Sequence, residues 1–179
     1  MPLFLATAGG FAAYERHEDG WRRIRRELGN RHATSISTAD GLIVLGTRHG
    51  IVTSEDEGRT WQEPPRGPSI EHIRWVLCHP AKEGRVLAGT EPAAIFWSRD
   101  RGQTWNECPE IDDLREKGGW YLPYSPEAGC VRGFAVHGAR AYAAVEQGGM
   151  LRSDDAGESW GLVEGSTGQT EACPPPIIH

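Results

Sequence analysis

Ser54-Glu55-Asp56-Glu57-Gly58-Arg59-Thr60-Trp61 decides how this chain must be read, because it occurs again. Ser98-Arg99-Asp100-Arg101-Gly102-Gln103-Thr104-Trp105 and Ser153-Asp154-Asp155-Ala156-Gly157-Glu158-Ser159-Trp160 follow the same pattern, Ser-x-Asp-x-Gly-x-Thr/Ser-Trp. An internal repeat governs the whole fold and is read before anything else. The pattern suits a hairpin turn. Ser and Asp fold their side chains back onto nearby backbone N–H groups. Gly supplies a left-handed backbone conformation that other residues resist. Thr-Trp then opens a strand, where β-branched and aromatic side chains fit best.

Working outward, each octapeptide is preceded by the same series of strand-like runs. The nearest are Gly50-Ile51-Val52-Thr53, Ala94-Ile95-Phe96-Trp97 and Gly149-Met150-Leu151-Arg152. Before them come Leu42 to Thr47, Arg85 to Thr90 and Ala141 to Val145. Further upstream lie Ala33 to Thr38, Ile73 to His79 and Val131 to His137. The expectation is an all-β chain of units with four short antiparallel strands. A decayed copy stands at the N-terminus: Leu3 to Ala8 match a second strand, Phe11 to Tyr14 a third, and Trp21 aligns with Trp61. Unit starts at Tyr14, Ser54, Ser98 and Ser153 are spaced by 40, 44 and 55 residues. Such periods fit propeller blades.

These residues resemble the Asp-box, or bacterial neuraminidase repeat, family of β-propellers. The resemblance covers nearly the whole chain. It implies one propeller domain over residues 1–179, with blades at about 3–28, 33–64, 70–109 and 131–164. Residues 109–130 read as an insertion and 165–179 as a linker or tail. The first blade lacks its first strand, so four blades read as part of a larger ring of about six to eight. The rest of the propeller, as a following segment or a second chain, is then an expected partner. The resemblance gives the box residues a structural role in turns on the outer rim: Ser54, Asp56, Gly58 and Trp61; Ser98, Asp100, Gly102 and Trp105; Ser153, Asp155, Gly157 and Trp160.

In such propellers ligands bind the opposite face, formed by loops between second and third strands and by blade-to-blade crossings. Arg48, Glu91 and Glu146 hold equivalent positions in those loops. Arg74 aligns with Arg132 at the start of the inner strands, and Thr34 falls at the same place. Convergent charge of both signs suits a polar or anionic ligand. The extra 11 residues of the longest spacing lie between Cys108 and Cys130. Pro109, early acids, late bases and Gly118-Gly119 spell a short helix. Trp120, Tyr121 and Tyr124 follow, and Trp120 is a candidate for stacking on a ligand or for seating the insertion.

The preferred reading is a binding or scaffold module. The family also includes sialidases and other glycoside hydrolases, which makes hydrolysis the alternative. That chemistry needs two carboxylates, about 5–5.5 Å apart for retention or about 6.5–9.5 Å for inversion. Glu91 and Glu146 are the candidates, with Tyr121 and Tyr124 as nucleophiles and Arg48, Arg74 and Arg132 as a carboxylate-binding cluster. The Arg-Ile-Pro sequence of sialidases is absent, and Leu3 to Ala8 carry no arginine.

A net charge of −6 and one basic cluster, Arg22-Arg23-Ile24-Arg25-Arg26, argue against nucleic acid as a partner. The basic cluster reads as an edge strand protected by charge. No stretch is long enough to span a membrane. Residues 2–14 are apolar but lack a basic leader, which suggests a cytoplasmic protein. The four cysteines show no Cys-x-x-Cys spacing and are expected as free thiols. The seven histidines show no ligand spacing, so neither metal nor cofactor is expected.

Overall fold

Four antiparallel sheets follow one another along the chain in a computed structural model that describes residues 2–120 and 129–167. The first contains β1 (Leu3–Thr7), β2 (Gly10–His17) and β3 (Gly20–Glu27). The second contains β4 (Ala33–Ala39), β5 (Leu42–Thr47) and β6 (Gly50–Ser54). The third contains β7 (Ile73–Cys78), β8 (Val86–Thr90), β9 (Ile95–Ser98) and β10 (Asn106–Glu107). Helix α1 (Glu110–Gly118) precedes the fourth sheet: β11 (Val131–His137), β12 (Arg140–Val145), β13 (Gly149–Ser153) and β14 (Gly161–Leu162). Each sheet pairs its strands in chain order, as propeller blades do. Packing between blades also runs in chain order, β1 on β4, β4 on β7 and β7 on β11, with no comparable contact between β1 and β11.

The outermost strand runs eight residues in the first blade but only two in the third and fourth, β10 and β14. In the second blade the fourth strand shrinks to a single bridge between Thr53 and Gln62. Pro64 and Pro65 follow directly, and proline has no N–H to continue a ladder.

Three hydrophobic clusters fill the three blade junctions. Phe11 and Ala13 meet Ala33, Ile43, Leu45 and Val52 at the first. Leu42, Val44 and Ile51 meet Ile73, Val76, Val86 and Phe96 at the second. Leu87 and Ile95 meet Val131, Ala141, Ala143 and Leu151 at the third, which also takes Ile111 and Trp120. Alternation along each strand sends successive side chains to opposite junctions.

The octapeptide turns hold these junctions at the rim. The Ser54 hydroxyl donates to Asp56 Oδ1 at 2.8 Å and accepts from the Gly58 N–H at 2.9 Å. Asp56 Oδ1 accepts from the N–H groups of Arg59 and Thr60, both at 2.9 Å, and Oδ2 accepts from the Thr60 hydroxyl at 2.7 Å. The Trp61 indole donates to the Gly58 carbonyl at 3.2 Å. Asp100 and Asp155 repeat the arrangement. The Asp56 carboxyl lies well below its ordinary range, chiefly through the Thr60 N–H and hydroxyl. For Asp155 burial pushes the other way, but bonds from Ser159 and Ser153 bring it down to about 2. Each box glycine has positive φ and abuts the preceding blade: Gly58 on Phe11, Gly102 on Thr53, Gly157 on Leu87.

Cys78, Cys108 and Cys130 are free and buried, and Cys173 lies outside the described residues. Among the described residues no helix is long and apolar enough to cross a membrane.

Candidate functional site

The loops that precede β6, β9 and β13 lie at the strand ends opposite the octapeptide turns. One backbone device fixes all three. The Arg48 N–H donates to the His32 carbonyl at 3.1 Å, Glu91 N–H to His72 at 3.0 Å, and Glu146 N–H to Cys130 at 2.9 Å. Each acceptor stands just before an inner strand. Two residues later each inner strand carries a β-bulge, at Thr34 in β4, Arg74 in β7 and Arg132 in β11. A bulge adds one residue on one side of the ladder and re-aims its side chain. Here it does so at equivalent points of three blades.

The result is a cavity of about 310 Å³ lined by Arg48, Arg74, Arg132, His32, Thr34 and Trp75, with Ala33 and Val131 beneath. The Thr34 hydroxyl donates to the Ile73 carbonyl at 2.6 Å and ties two inner strands together at this mouth. Trp75 leaves 41% of its surface exposed beside the arginines. The structure thus brings the three predicted arginines together.

The predicted carboxylates behave differently. Glu91 Oε2 lies 3.3 Å from Arg74 Nη1 and 3.9 Å from His72 Nδ1. Glu146 Oε2 accepts from Arg132 Nε at 2.6 Å and from the Cys130 thiol at 3.2 Å. Each is held by its own blade's bulge arginine, and neither lines the cavity. The expected mouth of mixed sign is therefore a mouth lined by arginine, with the acids behind it. Among the described residues Arg48 makes no ion pair.

Sequence reasoning missed His32, which lines the cavity, and His72, which stands beside Glu91. Burial pushes His72 down, the Glu91 charge opposes this, and Arg74, Arg48 and His32 lower it further. The signal was the position just before an inner strand, shared with Cys130. Burial and the Glu146 hydrogen bond push the Cys130 thiol up to about 11.

Trp120 requires correction as a stacking platform, because only 3% of it is exposed. It closes the junction core, with its ring against Gly148 and Gly129. Helix α1 falls where Pro109 and Gly119 predict; Gly119 closes it in a left-handed conformation. Arg115 Nη1 donates to the Ala93 carbonyl at 2.7 Å, fastening the helix to the loop that carries Glu91. Tyr121 and Tyr124 lie outside the described residues. Among the described residues no three His, Cys, Asp or Glu side chains gather to hold a metal ion.

Residues 96–107, from β9 through the second octapeptide, match the family model of the BNR/Asp-box repeat. That stretch is one BNR/Asp-box repeat, and residues 54–61 and 153–160 share its octapeptide. A stretch of 75 residues is 31% identical to a vacuolar protein sorting/targeting protein 10 of Aspergillus flavus, covering 42% of this chain and 5% of that protein. Another, of 96 residues, is 33% identical to an oligoxyloglucan-reducing end-specific xyloglucanase of Emericella nidulans, covering 50% and 12%. This chain therefore spans a small part of either relative's length.

Solved structures agree on the fold. A GH74 xyloglucanase from Xanthomonas campestris superposes with a TM-score of 0.67 at 17% identity, over 92% of this chain and 29% of its own. YCF48 from Cyanidioschyzon merolae gives 0.62 at 16%, over 89% and 51%. YCF48 bound to a D1 peptide gives 0.58 at 14%, over 89% and 48%. The four blades are thus a segment of a β-propeller, similar in fold both to a GH74 xyloglucanase and to YCF48 with a D1 peptide bound.

Proposed function

We propose that this chain is the binding part of a propeller whose arginine-lined mouth captures a carboxylate-bearing group on a peptide or protein partner. The observation that carries the reading is the convergence of Arg48, Arg74 and Arg132, from three successive blades, on one cavity of about 310 Å³. A guanidinium presents a rigid fork of donors that matches a carboxylate. With Glu91 and Glu146 paired to Arg74 and Arg132, the mouth keeps an excess of positive charge centred on Arg48, which favours an anion over a neutral sugar. Trp75 offers an apolar wall for whatever carries the charge. A peptide fits this chemistry, and a structurally similar propeller is known with a peptide bound. We place this activity in the cytoplasm, with no cofactor.

Fluorescence anisotropy with a labelled acidic dodecapeptide tests the reading. Charge-assisted contacts contribute about 1.5–3 kcal/mol each, so Arg48→Ala or Arg132→Ala should weaken binding roughly tenfold or more. Affinity should also fall as salt rises. Equal affinity in all variants would remove the mouth from the account.

The stretch 33% identical to a xyloglucanase favours hydrolysis as a second reading. Against it stands the engagement of Glu91 and Glu146 by Arg74 and Arg132. Turnover of xyloglucan oligosaccharides or fluorogenic sialosides, abolished by Glu91→Gln or Glu146→Gln, would establish it. The binding reading expects no turnover.

A further inference from the structure

Strand β3, outermost in the first blade, is the longest free edge among the described residues. It runs eight residues, where β10 and β14 run two. One side of it pairs with β2, and no described strand pairs with the other. An edge strand of this kind presents a row of unpaired backbone N–H and C=O groups. Trp21, Arg22, Arg23, Ile24, Arg26 and Glu27 are all exposed along it, Trp21 by 49% and Ile24 by 43%.

Register decides where the arginines stand. Arg25 lies opposite Ala13 and Arg23 opposite Tyr14, so Ile24 is an extra residue, a bulge. Without it, alternation would set Arg22, Ile24 and Arg26 on one face. With it, Arg22 and Arg25 share the face of Glu15 and Ala13, and Arg23 and Arg26 share the face of Tyr14 and Ala12. The arginines are thus divided two and two about the free edge. Asp19 answers one of them, at 3.5 Å from Arg22. Arg25 Nη1 donates to the Glu57 carbonyl at 2.8 Å, a bond that leaves its charge uncancelled. Among the described residues Arg23 and Arg26 make no ion pair. The Arg16 guanidinium, 5.7 Å from the centre of the Trp21 ring, adds a further positive charge. The strand itself carries four arginines and one glutamate, in a chain of net charge −6.

We propose that β3 is a docking edge for an extended acidic segment of a partner protein, which adds to the first blade as a further strand. Charge complementarity names this occupant. A second β3 edge would set arginine against arginine, and like charges directly opposite repel. A flat anionic surface meets one face of a strand, whereas an added strand sends alternate side chains to both. Arginines on both faces therefore match acids at successive positions of the partner, flanking an apolar residue opposite Ile24. Main-chain bonds supply affinity, and the acids supply specificity. No residue of β3 lines the arginine mouth, so the inference is independent of the ligand proposed above.

Hydrogen exchange read by mass spectrometry tests it on the full chain, with the peptide Thr-Glu-Glu-Val-Glu-Glu-Thr as probe. The expected result is slower exchange over Gly20–Glu27 at millimolar peptide, in the native chain and equally in Arg48→Ala. Arg23→Glu combined with Arg26→Glu should raise the peptide concentration needed by about tenfold or more, because attractive cross-strand pairs become repulsive. Arg23→Gln with Arg26→Gln should give a smaller rise, and matching circular dichroism melts guard against misfolding. Of two peptides methylated on alternate backbone nitrogens in opposite phase, one should bind and the other fail, since only one set of N–H groups faces β3. Absence of protection over Gly20–Glu27, or protection indifferent to both double substitutions, overturns the proposal. So does equal behaviour of the two methylated peptides. Protection by a single-stranded oligonucleotide or by phosphatidylserine vesicles that depends on Arg23 and Arg26 in the same way would make β3 a general polyanion surface, and overturns it too.

Discussion

Replacing Gly157 by alanine should destabilise the fold far more than the same change at Gly102, although the two glycines hold equivalent places in their octapeptides. Both have left-handed backbones, at φ 90° and 85°. Any side chain there costs roughly 1–2 kcal/mol. The surroundings differ. A Cβ on Gly157 would lie 2.4 Å from Leu87 Cδ2 and 2.9 Å from Cδ1, and Leu87 is fully buried between the third and fourth blades. With no room to swing clear, overpacking adds about 1–3 kcal/mol. A Cβ on Gly102 meets nothing nearer than Thr53 Cγ2 at 3.3 Å. The expected losses are about 2–5 kcal/mol for Gly157→Ala and about 1–2 kcal/mol for Gly102→Ala. Urea unfolding followed by tryptophan fluorescence gives both values. A double-mutant cycle with Leu87→Ala should show coupling, because the smaller residue relieves the clash. Equal losses for the two glycines, or an additive cycle, would refute the claim that the octapeptide turn is a wedge between blades.

Asp155 has a folded value near 2, below the ordinary carboxylate value, so its contribution is present above about pH 4 and is lost as pH falls through 2. Asp155→Asn should flatten the acid limb of stability by about 1 kcal/mol, after discounting for solvent screening, read from urea midpoints at pH 5 and pH 2.5. Trp120→Ala should cost about 3–5 kcal/mol by opening a cavity in the third junction, and differential scanning calorimetry should show the lower melting temperature. Cys108 and Cys130 are buried thiols whose acidity burial suppresses. At pH 8 they should react with a disulfide reagent at least a hundredfold more slowly in the folded protein than in urea, as absorbance records.

The repeat made much of this legible. Three copies of one octapeptide fix which residues are equivalent, so Arg48, Arg74 and Arg132 could be sent to one mouth without coordinates. The bulges that aim Arg74 and Arg132 leave no mark in the sequence, because an extra residue in a ladder shows only against its partner strand. Helix α1 was legible from its own ends, at Pro109 and Gly119. Trp120 was not, since the insertion occurs once and has no sister copy to compare. Its burial depends on Gly129 and Gly148, which the chain brings in from further along. The fate of Glu91 and Glu146 was hidden for a related reason. Sequence supplies the charges at the mouth, but only the fold decides that each acid lies behind an arginine.

The ligand face itself can be observed directly. Arginine side-chain Nε–H resonances, followed during titration with the acidic dodecapeptide, distinguish the mouth from the rim. The account predicts that Arg48, Arg74 and Arg132 shift together with one dissociation constant, while Arg59 and Arg101 in the octapeptide turns stay still. Shifts confined to Arg59 and Arg101, with the mouth arginines unmoved, would contradict it.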